Sequence, residues 1–361
     1  MNRREFLRST GVMAATMAVS RTGWSAEPPD GWRTFELTTR VEVLESLGPT
    51  RVWVPATLTM QTPYQRTAAT TFSADGARAR LVQAGARDGL AIVSAVFPAG
   101  VKPVVVTTSR VATRDVAVAM NASAAGGHAD RATLDHFRRP TAMLPTDGIV
   151  KASADTITRG ARTDLDKARA IYDWIVDNTR REPTVRGCGV GDIRFMLESK
   201  DLAGKCADLN ALFVGLARAA GLPARDVYGI RAAKSAYGYK SLGAASETVT
   251  KSQHCRAEVY LADHGWVPVD PADVRKVMLE EPPGNRAADD EMVARARRRL
   301  FGSWEMNWIA FNFAHDVSLP GSAGAPLPFL MYPQAETDRG RIDCLDPDRF
   351  RYEITAREIA V

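Results

Sequence analysis

The 361-residue sequence lacks long hydrophobic runs, closely spaced metal ligands and a strong excess of one charge. Beyond the N-terminal region no stretch reaches the about 18 consecutive apolar residues that a membrane-spanning helix needs, so we expect a mature chain without a stable membrane anchor. Neither a C-x-x-C nor an H-x-x-H spacing occurs among the four cysteines and five histidines. Such spacings are typical of zinc sites, and we therefore predict neither a metal nor another cofactor.

The charge balance argues against a nucleic-acid-binding protein. The formal net charge is +5, but residues 1–26 contain four arginines and one glutamate, which account for +3 and leave about +2. A nucleic-acid-binding domain is usually strongly basic, so no nucleic-acid partner is expected. The one basic run consists of Arg295, Arg297, Arg298 and Arg299, and we interpret it as the solvated face of a helix.

The N-terminus has the pattern of an export signal. Residues 3–8 read Arg-Arg-Glu-Phe-Leu-Arg, the RRxFLR pattern of twin-arginine signals, and a mildly apolar stretch follows from Ser9 to Ser20. That stretch is too short to span a bilayer. We predict a twin-arginine signal peptide over residues 1–26, the twin-arginine export machinery as a partner, and a periplasmic or secreted location.

The next region has the pattern of an all-β domain. Residues 31–125 contain β-branched runs, such as Thr50–Pro55 and Leu90–Phe97, separated by glycine, proline and aspartate. Several short strands at this spacing predict a small β-sandwich. We assign residues 126–275 to an α+β core and residues 276–361 to a C-terminal extension packed on that core, because the many aromatic residues of the extension indicate that it is folded.

A cysteine at the start of a buried helix is the first candidate site residue. Apolar residues recur at helical spacing from Cys206 to Ala220, and Gly221 with Pro223 ends the helix. A thiol in the first turn lies beside unpaired N–H groups and the positive end of the helix dipole. Both favour the nucleophilic thiolate, whereas the alternative is an ordinary buried cysteine.

A histidine and an aspartate downstream favour the nucleophile. His254 opens a strand-like run to Leu261, a turn follows, and a second run ends at Asp270 before a proline. His254 and Asp270 have the same parity, so an even register in this β-hairpin puts both side chains on one face. A histidine held by a carboxylate can take a proton from a thiol, and the order Cys, His, Asp is that of a papain-like site.

Three motifs resemble the bacterial transglutaminase-like superfamily. They are GKCADLNALFVGLARAAGLPAR, HCRAEVYL and GWVPVDP, and the resemblance covers about residues 165–275. It implies an α+β fold with a papain-like core, in which the cysteine-bearing helix packs on an antiparallel sheet behind the small all-β sandwich domain. It also implies a catalytic triad of Cys206, His254 and Asp270. Animal cross-linking enzymes have glutamine and tryptophan beside the cysteine, where this chain has Lys205 and Ala207.

The resemblance implies an exported cysteine peptidase or amidase that acts on a peptide or amide substrate through a thioester acyl-enzyme. The backbone N–H of Cys206 is the natural oxyanion donor. Two alternatives stay open: a catalytically inactive binding or assembly module on the same scaffold, and a protein cross-linking acyltransferase. The superfamily includes peptidases, amidases, cross-linking enzymes and inactive members, so the fold alone does not decide among them.

The other cysteines and the long loops complete the expectations. Cys188, Cys255 and Cys344 allow at most one disulfide, with Cys188–Cys344 as a guess, and Cys255 should face away from the site because it follows His254 on a strand. We expect the glycine-rich loop 183–192 and residues 327–333 to lie near the cleft. Residues 231–253 form either a flap over the cleft or a disordered surface excursion.

Overall fold

The computed structural model describes residues 31–46, 48–120 and 129–360. The predicted signal peptide, residues 1–26, therefore lies outside the described residues, as does the predicted domain boundary at residues 125 and 126. None of the helices in the described ranges is long and apolar enough to cross a membrane.

The elements formed by the described residues of the N-terminal third are all strands. They are β1 Arg33–Val43, β2 Thr50–Pro55, β3 Gln65–Ser73, β4 Arg78–Ala84, β5 Leu90–Phe97, β6 Val104–Thr113 and β7 Val116–Ala117.

Helices dominate the middle of the chain. The elements are α1 Arg131–His136, α2 Gly148–Ile157, α3 Asp164–Asn178, β8 Arg180–Arg181, α4 Ile193–Ser199, β9 Ala203–Gly204, α5 Cys206–Ala219, β10 Ala224–Arg231, β11 Gln253–Leu261, β12 Gly265–Val269, α6 Pro271–Glu280 and α7 Glu291–Arg299.

Short strands return at the C-terminal end. They are β13 Ser303–Trp304, β14 Trp308–Asn312, β15 His315–Val317, β16 Leu327–Phe329, β17 Gln334–Thr337, β18 Gly340–Ile342 and β19 Phe350–Ile359.

Two antiparallel sheets form the predicted N-terminal sandwich. One has the order β19-β1-β6-β3 and the other β18-β17-β2-β5-β4. Side chains alternate between buried and solvent-facing along β1 and β6, the pattern of a sheet with one wet face. Val41, Val52, Val93 and Val105 come from both sheets and share one core. The predicted all-β region before the core is therefore confirmed.

The C-terminal region does not form a separate extension on the core. Strands β17, β18 and β19 complete the two sheets of the sandwich, and β1 lies along the whole of β19, from Thr34 opposite Ile359 to Val43 opposite Phe350. Strand β14 instead joins the core sheet beside β10. The sequence pattern cannot reveal which sheet each C-terminal strand joins, because a strand's pairing partner depends on which sheet edge is free and not on the strand's own residues.

The core places one helix against one antiparallel sheet. That sheet has the order β12-β11-β10-β14, and α5 packs on it with all 14 of its residues buried. Helix α3 packs on α5 and begins at a capping box, in which the side chains of Thr163 and Asp166 accept from each other's backbone N–H groups. This arrangement confirms the predicted α+β class.

Candidate active site

Cys206 is the first residue of α5 and is 4% exposed. The N–H of the next residue, Ala207, donates to the carbonyl oxygen of Cys188 at 2.9 Å. The N–H of Cys206 has no acceptor among the described residues. It is therefore a free first-turn donor directly beside the sulfur, as an oxyanion hole requires.

A glycine-rich loop wraps the start of this helix. The Asp208 carboxylate accepts from the N–H groups of Lys205, Val190 and Gly191, each at 2.9 Å. Gly189 has a φ of +95°, and a Cβ there would lie 1.9 Å from the Asp208 carboxylate. The glycines therefore allow the loop to fold tightly around Asp208, which brings Cys188 next to Cys206. The predicted position of loop 183–192 near the cleft is confirmed.

His254 and Asp270 meet at the open end of the predicted hairpin. The register of β11 and β12 pairs Leu261 with Gly265 and Ala257 with Val269, so it is even, as expected. Asp270 follows β12 as the N-cap of α6, and its Oδ2 lies 2.8 Å from Nε2 of His254. Because Nε2 is held by the carboxylate, Nδ1 is the imidazole nitrogen left for proton transfer.

Both oxygens of Asp270 are engaged, which fixes the carboxylate. Its Oδ1 accepts from the Asn210 side-chain amide of α5 at 3.2 Å and from the N–H of Asp273 at 3.0 Å. Asn210 also donates to the carbonyl oxygen of Cys255 at 2.8 Å. The helix that bears Cys206 thus holds the aspartate and the histidine strand in place through one amide.

A second carboxylate and an arginine were missed by the sequence analysis. Oδ1 of Asp273 lies 3.4 Å from Nε2 of His254, and Arg231 pairs with the same oxygen at 2.6 Å. All three side chains are almost fully buried. The one signal for Asp273 was its place three residues after the N-cap Asp270, whereas Arg231 ends a strand far away in sequence.

The surroundings of the Cys206 thiol favour its ionised form. The neighbouring thiols of Cys188 and Cys255, together with the imidazole of His254, hold the pKa of Cys206 well below that of an ordinary thiol, although burial opposes them. The Cys188 sulfur also lies 3.4 Å from the carbonyl oxygen of Gln253. The thiolate, which is the attacking form of cysteine, is therefore favoured in this environment.

The pKa values of His254 and Asp270 are raised, whereas that of Asp273 is lowered. Burial and Arg231 oppose the charged imidazole, but Asp273 and Asp270 outweigh them and raise the pKa of His254. Burial and the neighbouring Asp273 raise the pKa of Asp270, whereas Arg231 holds the pKa of Asp273 down despite its burial. A lowered thiol pKa beside a raised imidazole pKa favours a thiolate–imidazolium pair.

The prediction that Cys255 faces away from the site is wrong. Cys255 lies on the face of β11 that packs against α5 and shares a buried cluster with Cys206, and burial together with the neighbouring Cys206 raises the pKa of the Cys255 thiol. The parity argument failed because the sulfur at the helix N-terminus interacts with both consecutive residues of the strand. All four cysteines are free thiols, so the guessed Cys188–Cys344 disulfide is also wrong.

The site opens into a cavity of about 610 Å³. Residues 186–188, Gly243, residues 250–254 and Tyr332 contribute to its walls, which confirms the expected position of residues 327–333 near the groove. The segment before His254 is packed and is not a disordered excursion. Its Val249 N–H donates to the carbonyl oxygen of Ile354 at 2.8 Å, and the N–H groups of Lys240 and Ser241 donate to Glu281.

A second buried histidine–aspartate pair lies elsewhere. Nε2 of His315 is 3.1 Å from Asp226, while Asp316, its sequence neighbour, accepts from the N–H of Ala142. His315 and Asp316, although adjacent in sequence, therefore have different partners. Neither His315 nor Asp226 lines the cavity around Cys206.

The ligand atoms of His254, Asp270 and Asp273 lie within 4.8 Å of one another, a spacing that a metal ion could use. Arg231 already provides positive charge to Asp273, and the oxygens of Asp270 already accept three hydrogen bonds. The two carboxylates are thus arranged to hold the imidazole of His254.

The predicted solvated arginine run makes several contacts. Arg297 on α7 pairs with Asp173 and Asp177 on α3 at 2.8 and 2.6 Å, and Arg299 stacks over the ring of Tyr237. These arginines attach α7 to its neighbours at a distance from the cavity, since none of them lines it.

Comparison with known proteins agrees with this geometry. Residues 151–271 match the model of the transglutaminase-like superfamily. An uncharacterized protein of Haemophilus influenzae is 40% identical over 235 residues, which is 63% of this chain and 63% of that protein. The chain therefore spans 63% of the length of the curated relative that it matches.

Among solved structures, a candidate cysteine protease from Cytophaga hutchinsonii has a TM-score of 0.50 at 15% identity, with 90% of this chain and 98% of that chain covered. The periplasmic domain of TgpA from Pseudomonas aeruginosa, bound to ethylmercury, has a TM-score of 0.34 at 18% identity and covers 65% of this chain and 89% of that chain. At 15% identity, the similarity to the Cytophaga hutchinsonii protein concerns the fold alone.

Proposed function

The chain carries a transglutaminase-like domain over residues 151–271, and from this premise we propose that it is an exported cysteine hydrolase that cleaves a peptide or amide bond. One observation carries the proposal. Cys206 and His254 line the same cavity, and Oδ2 of Asp270 lies 2.8 Å from Nε2 of that imidazole, whose presence contributes to the lowered pKa of the Cys206 thiol. A nucleophile, a base and an orienting acid in contact are the requirements of thiol catalysis.

In the first half-reaction the Cys206 thiolate attacks the amide carbonyl carbon and forms a C–S bond. The backbone N–H of Cys206, which is free of other acceptors among the described residues, donates to the oxyanion. The imidazolium of His254 gives its proton to the leaving nitrogen as the C–N bond breaks. The product is a thioester and a free amine.

In the second half-reaction water attacks the thioester. Neutral His254 accepts a proton from that water through Nδ1, since Nε2 stays with Asp270. The C–S bond breaks and releases a carboxylic acid, which restores the thiolate–imidazolium pair. Asp273 with Arg231 adjusts the charge on the imidazole and is a positioning pair in this scheme.

Export rests on the RRxFLR pattern at residues 3–8. We expect the twin-arginine machinery to recognise Arg3 and Arg4, and replacement of both by lysine to keep the protein in the cytoplasm. Cell fractionation with an antibody against the mature region measures this. Unchanged export of the double variant would contradict the twin-arginine route without affecting the chemistry at Cys206.

The enzymatic proposal is tested with a mass-encoded peptide mixture. We expect the wild-type chain to cleave a subset of the peptides, whereas Cys206→Ala and His254→Ala cleave none while keeping the wild-type unfolding temperature. His264→Ala is the matched histidine control, because His264 lies in the hairpin turn and does not line the cavity. Its cleavage pattern should equal that of the wild type.

The same experiment addresses the two alternatives. Cleavage by Cys206→Ala at the wild-type rate would refute the thiol mechanism. No cleavage by the wild type over the whole mixture, with peptides bound but unchanged, would favour a binding module. Joined peptides in place of shortened ones would favour the cross-linking acyltransferase.

A further inference from the structure

The cavity around Cys206 has a one-sided charge. Seven arginine and lysine side chains line it, and within the part of the chain that the structure describes no aspartate or glutamate does. The mature chain as a whole carries only about +2 once residues 1–26 are removed. The cavity lining therefore has a local excess of basic residues, whereas basic and acidic residues nearly balance in the mature chain as a whole.

Four of these cations have acidic partners just outside the cavity. The pairs are Arg181–Glu280, Lys276–Glu280 at 3.7 Å, Arg186–Asp343 at 2.6 Å and Arg231–Asp273 at 2.6 Å. Three carboxylates thus neutralise most of the charge of these four cations, which are already engaged in ion pairs within the protein.

The other three cations have no ion-pair partner among the described residues. They are Lys205, which directly precedes Cys206, Lys251, which lies three residues before His254, and Arg351 on β19. Lys251 and Arg351 are exposed, and Lys205 is half-buried. Clefts lined by charge of one sign concentrate ligands of the opposite sign, since the low-dielectric walls focus the field.

We propose that the cavity selects acidic peptides, with carboxylate side chains close to the amide that Cys206 attacks, and that Lys205, Lys251 and Arg351 determine this specificity. The inference rests on the proposed function and names its substrate class. Charge-assisted hydrogen bonds from ammonium and guanidinium groups to carboxylates are stronger than neutral ones. The aromatic side chains of Tyr332 and Tyr352, which also line the cavity, provide apolar surface for the methylene groups of glutamate.

Binding is measured on the full chain with Cys206→Ala, so that no turnover interferes. The probes are two labelled peptides of equal length, one with glutamate at alternate positions and one with glutamine at the same positions. By fluorescence anisotropy at low salt we expect the glutamate peptide to bind about tenfold more tightly. The preference should shrink as salt rises, because the Debye length falls from about 10 Å at 0.1 M to about 3 Å at 1 M.

Variants assign the preference to the cavity. The Lys251→Gln/Arg351→Gln pair should remove most of it, at about threefold for each charge. Arg78→Gln/Arg80→Gln is the matched control, because both arginines are exposed on β4, lack ion pairs among the described residues and do not line the cavity. An equal loss of the glutamate preference in both double variants would mean that the preference reflects only the net charge of the protein, and it would overturn the proposal.

Two further results would overturn it. They are equal affinity for the two peptides and tighter binding of an oligothymidylate of the same charge than of the glutamate peptide. Failure here is separable from failure of the proposed function. Wild-type cleavage of both peptides at equal rates would remove the specificity and leave the enzyme, whereas selective binding without cleavage would leave the binding site and remove the enzyme.

Discussion

Replacing Asp270 by asparagine should impair the site while the fold persists. One oxygen of Asp270 faces Nε2 of His254 at 2.8 Å, and the other accepts from Asn210 and from the N–H that begins α6. Asparagine has a single carboxamide oxygen and cannot satisfy both sides. If that oxygen caps the helix, the amide N–H₂ faces His254, which moves the imidazole proton to Nδ1 and blocks transfer from the thiol.

The expected magnitude follows from the lost charge. Opposite charges about 4 Å apart interact by about 4 kcal/mol at an effective dielectric constant of about 20. Asp273 still lies 3.4 Å from the imidazole, although Arg231 offsets its charge. We therefore expect about 2–3 kcal/mol of lost imidazolium stabilisation, which corresponds to a fall of about 30- to 150-fold in kcat/KM, with more if the wrong tautomer dominates.

The assay measures kcat/KM against pH on a peptide from the cleavage screen. Losing the Asp270 charge lowers the pKa of His254, so the basic limb of the profile should move to lower pH. Asp226→Asn is the matched control, because Asp226 holds His315 at 3.1 Å in an equally buried pair outside the cavity. That variant should keep kcat/KM within about twofold, since surface and core changes away from the site act mainly on stability.

The outcome that refutes this reasoning is clear in both readouts. An Asp270→Asn variant with kcat/KM within about threefold of wild type, and with an unmoved basic limb, would mean that the carboxylate does not act on His254 during turnover. An equal loss in Asp226→Asn would mean that the assay reports folding and not catalysis.

Three further predictions concern the thiol and the loop that surrounds it. Cys188→Ala removes the neighbouring thiol that contributes most to the lowered pKa of Cys206, so that pKa should rise, and the alkylation rate against pH measures this. Gly189→Ala should lower the free energy of unfolding by about 2–4 kcal/mol in a denaturant titration, because the added Cβ would meet the Asp208 carboxylate. Gly238→Ala is the control, with positive φ and nothing within 4 Å of the added Cβ, and should cost about 1 kcal/mol. Equal costs would contradict the close approach of Gly189 to Asp208. The wild-type pH–rate profile should be a broad bell. Activity should rise with pH through the lowered pKa of Cys206, as the thiolate forms, and fall through the raised pKa of His254, as the imidazolium deprotonates. A profile in which activity rises only near the ordinary thiol pKa would contradict this prediction.

The sequence was informative wherever the signal was local. Helical spacing after Cys206, the turn after Leu261 and the shared parity of His254 and Asp270 all lie within one element or one hairpin, and the structure has these elements where they were expected. Local patterns report backbone geometry directly, which is why the helix and the hairpin that carry Cys206, His254 and Asp270 could be predicted.

The misses depend on contacts between distant elements. Arg231 reaches Asp273 across 42 residues, and β19 pairs with β1 at the other end of the chain. Cys255 was misassigned because strand parity gives the face of a side chain but not which helix end lies over it. Such contacts follow from tertiary packing, which no single stretch of residues encodes.

The central claim, that Cys206 is an activated nucleophile, is tested most directly by its alkylation rate with iodoacetamide near pH 6, followed by mass spectrometry of the peptide that contains it. The account predicts a second-order rate well above that of a free cysteine model compound, and a fall towards the model rate in His254→Ala. A rate for Cys206 equal to that of the model thiol, unchanged by His254→Ala, would contradict it.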